Sequence, residues 1–159
     1  MDADALNRIS ESNLGANFFL ERKFKTWITP HRKEFGRLFP NTKFKTNVGL
    51  ARDAAKEFNI SILLKGANSI VADNKKVWQL FGTDSQTARA GLGDLLSGFV
   101  AGSSAIDLTL CRNISTDFFV KYVLLHSYAA SKCKKGSTAS VIGDQLSKLM
   151  RKTKARQMS

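Results

Sequence analysis

The stretch that most restricts the fold is Ile60-Ser61-Ile62-Leu63-Leu64, a continuous apolar run that stops at Lys65-Gly66. A strand wetted on one face alternates apolar and polar residues; an unbroken run suits a strand covered on both. Such a strand needs layers above and below it, and the flanking sequence offers them. Leu50, Ala51, Ala54, Ala55 and Phe58 share one face of a predicted helix. Ser69 to Ala72 and Val77 to Phe81 flank Asp73-Asn74-Lys75-Lys76, a hairpin pattern. Phe24 to Ile28 reads as a short strand running into Thr29-Pro30-His31, where Pro30 holds Thr29 extended. Arg32 to Phe39 fits one or two helical turns closed by Pro40, and a further helix is expected from about Asp94 to Ala101. Thr116 to Ala130 is apolar nearly all round, which predicts a deeply buried helix, and Ala139, Ile142, Leu146 and Leu149 mark a final amphipathic one. Strand, helix, strand, hairpin and then helices predicts α/β layering.

Charge and composition narrow the function classes. The 159 residues suit one domain, read as 1–150 with a frayed basic tail over 151–159. The net charge of +12 admits a nucleic acid, an anionic surface or a polyanionic small molecule. The basic residues are spread out and lack interleaved aromatics, so they read as a solvated face rather than a nucleic-acid groove. No apolar run reaches the roughly 18 residues that span a bilayer. Met1-Asp2-Ala3-Asp4-Ala5 has neither the basic nor the apolar part of a secretory signal. Cys111 and Cys133 form no C-x-x-C pair, which suits reduced thiols and a cytoplasmic location. With His31 and His126 the only histidines, no zinc site and no protein metal ligands are expected. His126, inside the apolar helix, reads as a satisfied core histidine.

The chemistry-bearing segment is Ala90-Gly91-Leu92-Gly93-Asp94, directly before the apolar segment Leu95 to Gly102. Glycines at a helix N-terminus let backbone N–H groups converge, and those orphan amides with the helix dipole favour an anion. A carboxylate there repels phosphate but can take a proton from a hydroxyl that attacks phosphate. Anion hole and base together are the minimum for phosphoryl transfer. The same pentapeptide also fits a plain glycine turn whose Asp caps a helix.

Four segments, in order, resemble the ADP-dependent NAD(P)H-hydrate dehydratases of the ribokinase-like superfamily. Asp2-Ala3-Asp4-Ala5-Leu6-Asn7 is similar to D-A-D-A-L-N, and Thr29-Pro30-His31 with Glu34 to T-P-H-P-G-E. Leu64-Lys65-Gly66-Ala67-Asn68-Ser69 is similar to L-K-G-x-x-T, and Ala88 to Gly98 to A-x-x-G-[ST]-G-D-V-L-[ST]-G. The resemblance implies a layered α/β/α ribokinase-like fold of which this chain is the C-terminal portion, with Asp2 to Asn7 as the loop after an absent strand. The open sheet edge would then need covering, by a homo-oligomer or by a separate chain that supplies the remainder, unless the chain is a truncated gene product or a fragment.

It further implies dehydration of the hydrated nicotinamide NAD(P)HX, with ADP or ATP as phosphoryl donor and Mg²⁺ as cofactor. Asp94 would contact substrate and act as base, and Gly91, Leu92 and Gly93 would form the anion hole. Lys65, Gly66, Ala67, Asn68, Ser69 and Gly93 would bind nucleotide, and His31 substrate. The sequence departs from the pattern in places: Arg32-Lys33 for P-G, Asp84-Ser85-Gln86 near an expected N-P-G, Ala90 for Gly, Leu92 for Ser/Thr and Ser69 for Thr. A small-molecule kinase of the superfamily, or an inactive remnant that serves as an assembly partner, are the alternatives.

Overall fold

The computed structural model describes residues 1–81, 91–110 and 114–157. The readings on Asp84 to Ala90 and on Cys111 lie outside them. The chain forms two compact units, Met1–Thr83 and Asp84–Ser159.

The first unit holds a four-stranded sheet, β1 Trp27–Ile28, β2 Ser61–Leu64, β3 Ser69–Ala72 and β4 Val77–Leu80, in spatial order β1-β2-β3-β4. β1 and β2 run parallel, with Ile28 opposite Ile62; the remaining pairs are antiparallel. The apolar run is β2 as expected, every residue of it buried. Ile62 and Leu64 join the main core on one face, while Leu63 points to the other at 1 % exposure. The hairpin also forms as read. Asp73 Oδ1 accepts from the amides of Lys75 and Lys76, both at 2.7 Å, so the side chain holds its own turn.

Three helices pack in this unit: α1 Ala3–Glu11, α2 Arg32–Leu38 and α3 Asn47–Glu57. α3 starts at Thr46, whose Oγ1 accepts from Gly49 N, and buries the stripe Leu50, Ala51, Ala54, Ala55. Small alanines on that stripe permit close approach to the sheet. Phe35, Phe39 and Phe58 stack in series, with centroids 4.8 and 5.2 Å apart, and join Ile28 and Ile62 in the core. Aromatic pairs of this kind add about 0.5–1.5 kcal/mol beyond their buried area.

Two expectations fail here. Asp2 to Asn7 is not a loop but the N-cap and first turns of α1. Ala5 and Leu6 are strong helix formers, Asp4 suits the first turn, and burial of Leu6 at 1 % exposure anchors the helix. The strand expected from Phe24 is cut to Trp27–Ile28, because only those residues pair with β2; Phe24 is 81 % exposed. Met1 runs beside β1: its nitrogen donates to Trp27 O at 2.8 Å and its carbonyl accepts from Thr29 N at 3.1 Å.

The second unit is helical in its described residues: α4 Leu92–Thr109, α5 Thr116–Ser131 and α6 Ala139–Gln157. Leu92, Ala129, Ala130, Ile142 and Leu146 form its core. α4 extends beyond the expected end at Ala101, and α6 runs through Arg151 into the stretch read as a frayed tail. α5 is not buried all round. Asp117, Lys121, Leu124 and Tyr128, spaced four, three and four apart, form an exposed stripe, with Leu124 at 48 % and Tyr128 at 50 %. Side-chain hydrophobicity alone does not say which face a chain covers. His126 is not satisfied either: its Nε2 is buried with no hydrogen-bond partner among the described residues.

Candidate active site

In the first unit, the motifs of the N-terminal half meet where the parallel strands end. β1 leads into Thr29-Pro30-His31 and β2 into Lys65, and His31 and Lys65 form an isolated parallel bridge with Lys65 N donating to Pro30 O at 2.9 Å. Thr29 is tied to Met1, which brings Asp2 alongside, and Lys65 Nζ lies 2.8 Å from Asp2 Oδ1. Ligands of open α/β sheets gather at the carboxyl ends of strands, and this is such an end.

His31 is the N-cap of α2. Its Nδ1 accepts from Lys33 N at 3.1 Å and Glu34 N at 3.2 Å, while Glu34 Oε2 accepts from His31 N at 2.8 Å, a reciprocal capping box. An accepting Nδ1 leaves the proton on Nε2, which faces Glu34 Oε1 at 3.4 Å on a ring whose side chain is 49 % exposed. His31 therefore makes the local contacts of a capping residue, and about half of its side chain remains exposed.

Gly66, Ala67 and Asn68 form an exposed bend after β2, and the buried Ser69 closes it by donating from Oγ to Gly66 O at 3.3 Å. A Cβ added at Gly66 would meet nothing closer than Asn68 O at 3.9 Å. Packing among the described residues does not demand glycine there; close approach of a ligand to the backbone would.

In the second unit, Gly91 is the N-cap of α4 with φ +83°, the left-handed conformation glycine adopts without strain. It has no side chain to cap the helix, so the first-turn amides of Leu92, Gly93 and Asp94 receive no side-chain cap. Asp94 stands exposed on that turn, and no hydrogen bond or ion pair engages its carboxylate among the described residues. This is not the behaviour of a capping Asp. Asp94 lines a cleft of about 690 Å³ that follows α4 to Leu110, with Phe99, Tyr122, Leu125 and Leu146 among its walls. That volume falls within the usual range for ligand pockets, about 300–1,000 Å³.

Sequence reasoning missed three contacts. Asp2 engages Lys65 across a separation no local pattern reveals. Glu34, 6 % exposed, holds the His31 backbone; its spacing from His31 is the capping-box signature and was available to find it. The third is buried Asp107, which accepts from the Tyr122 hydroxyl in the wall of the cleft.

The family model for NAD(P)H-hydrate dehydratase matches residues 1–152. The chain is 39 % identical over 114 residues to a bifunctional NAD(P)H-hydrate repair enzyme of Gloeobacter violaceus, covering 71 % of this chain and 21 % of that one. It is 37 % identical over 78 residues to an ADP-dependent (S)-NAD(P)H-hydrate dehydratase of Nitrosopumilus maritimus, covering 47 % and 27 %. Among solved structures it is similar to a ribokinase-like superfamily protein of Enterococcus faecalis, with TM-score 0.78 and 23 % identity over 95 % of this chain and 51 % of the other. It also resembles the ADP/ATP-dependent NAD(P)H-hydrate dehydratase of Bacillus subtilis co-crystallised with ATP and Mg²⁺, with TM-score 0.66 and 23 % identity over 83 % and 49 %. The chain thus spans about a quarter or less of these curated relatives and about half of the solved neighbours. Matched over residues 1–152 and sharing the ribokinase-like fold, the chain belongs to the NAD(P)H-hydrate dehydratase family.

Proposed function

We propose that this chain carries the catalytic base and the nucleotide-binding segment of an ADP- or ATP-dependent NAD(P)H-hydrate dehydratase. The observation that carries the reading is Asp94: an exposed carboxylate without a protein partner among the described residues, on the first turn of a helix begun by a left-handed glycine. Asp94 takes the proton from the ring hydroxyl of the hydrated nicotinamide as that oxygen accepts a phosphoryl group. The amides of Leu92 and Gly93, with the Gly91 turn, hold the developing negative charge. Loss of the phosphate together with a ring proton restores the reduced nicotinamide. His31 offers its Nε2–H to substrate, while Lys65 and the bend Gly66 to Ser69 hold the nucleotide phosphates. The open face of Gly66 and the placement of Lys65 at a strand end support that assignment.

The nucleotide supplies the phosphoryl group. Among the described residues no three His, Cys, Asp or Glu side chains gather. A Mg²⁺ arriving with the nucleotide draws its oxygen ligands mainly from phosphates and water.

The test incubates the protein with hydrated NADPH, ADP and Mg²⁺ and follows the near-ultraviolet absorbance of reduced nicotinamide together with phosphate release. ADP-dependent recovery is expected, and Asp94→Asn should lower its rate about 10²–10⁴-fold while ADP affinity stays unchanged. Recovery that ignores ADP, or equal rates in Asp94→Asn, would remove this reading. A stable phosphorylated product without phosphate release would mark a small-molecule kinase instead.

A further inference from the structure

We infer that Asp2 is a positioning residue for Lys65, holding its ammonium ready for the phosphates of a bound nucleotide; this rests on the nucleotide role proposed for Lys65. Asp2 occupies the N-cap of α1 with the extended backbone of a capping residue, yet its side chain makes no cap bond. An Asp at that position ordinarily accepts from the amides of the first turn. Here Oδ1 takes Lys65 Nζ at 2.8 Å instead. Both side chains are largely withdrawn from water, Asp2 at 11 % and Lys65 at 24 % exposure, so the pair is screened less than one on the surface. Met1, the residue before Asp2, and Lys65 are fixed to the same strand end: Met1 O accepts from Thr29 N, and Pro30 O from Lys65 N.

The physical consequence follows from the lysine. An ammonium has three N–H donors, and one on Asp2 leaves two for a ligand. A free lysine stem loses its rotamer freedom when it grips phosphate, and one already held loses less. A carboxylate that merely neutralised Lys65 would act in the opposite direction, weakening phosphate binding. The two roles therefore give opposite signs when Asp2 loses its charge. Asp2→Asn costs α1 no side-chain cap bond. The Asp2 charge also acts on the Met1 ammonium, so the adenosine control and the Lys65→Met background isolate the part that runs through Lys65.

Calorimetric titration of the chain with ADP, and with adenosine as the phosphate-free control, separates them. Asp2→Asn should weaken ADP binding about five- to tenfold and leave adenosine binding unchanged. Asp2→Glu should restore part of the loss, and Asp2→Asn should have no further effect in a Lys65→Met background. Unchanged or tighter ADP binding in Asp2→Asn overturns the inference, as does an equal loss for adenosine. Absence of ADP binding by the unsubstituted chain overturns the nucleotide reading and this inference with it. Circular dichroism checks the fold of each variant. If Asp2→Asn does not fold, Asp2→Glu carries the comparison, with a smaller ADP-specific loss expected and an equal adenosine loss fatal.

Discussion

His126 sits on α5 with its Nε2 buried and without a hydrogen-bond partner among the described residues, and burial pushes its pKa below the ordinary histidine value. The unfolded chain then binds the proton more readily than the folded one. Stability from this group is intact above the unfolded pKa of about 6.5 and declines as pH falls through it. Urea unfolding followed by helical circular dichroism should show a lower midpoint at about pH 5.5 than at about pH 7.5, with His126→Phe reducing that difference. An unchanged pH dependence in His126→Phe would assign the effect elsewhere. The helix that contains His126 could be read from the apolar pattern, but the satisfaction of its imidazole could not. Hydrogen-bond partners for a buried side chain come from whichever elements pack over it, and no spacing rule within α5 reports them.

At the scale of the element, α2 shows how one residue serves both fold and site. Its start depends on His31 Nδ1 accepting two amides and on Glu34 closing the box. His31→Asn keeps a good cap, whereas His31→Ala should cost about 0.5–2 kcal/mol in chemical denaturation. If His31 also touches substrate through Nε2, His31→Asn raises the substrate KM while the unfolding free energy stays near that of the unsubstituted chain. An unchanged KM would reduce His31 to a cap. Elements with local chemistry were legible: α3 from its small-residue stripe, the β3–β4 hairpin from Asp73, the start of α4 from Gly91. α1 was hidden because its Asp-Ala repeat resembled a loop following a strand, and its helical state rests on burying Leu6 against the rest of the unit. The end of α4 was hidden for a related reason: Gly102-Ser103-Ser104, a local stop signal directly after Ala101, does not end the helix, which runs on to Thr109.

For the whole molecule, the division into two units offers a direct readout. Trp27 and Trp78 both belong to the first unit, so tryptophan fluorescence follows its unfolding. Ile62 lies at the centre of that unit with no exposed surface, paired to Ile28 on one side and Ala72 on the other. Ile62→Ala should cost about 2–5 kcal/mol and lower the fluorescence midpoint in urea correspondingly. A smaller change would mean that the sheet collapses onto the cavity.

The amino-acid sequence by itself determined the buried strand, the hairpin and the glycine turn ahead of Asp94, because each rests on residues close together in the chain, and the family, through four short motifs in a fixed order. Conformational preference, turn chemistry and motif spacing act over a few residues. Only the tertiary structure decided that Asp2 holds Lys65 instead of capping α1, that His31 is locked in a capping box, and that one stripe of α5 stays exposed. Those outcomes depend on which distant atoms compete for the same donor, acceptor or apolar surface. That competition is settled only once the chain has packed.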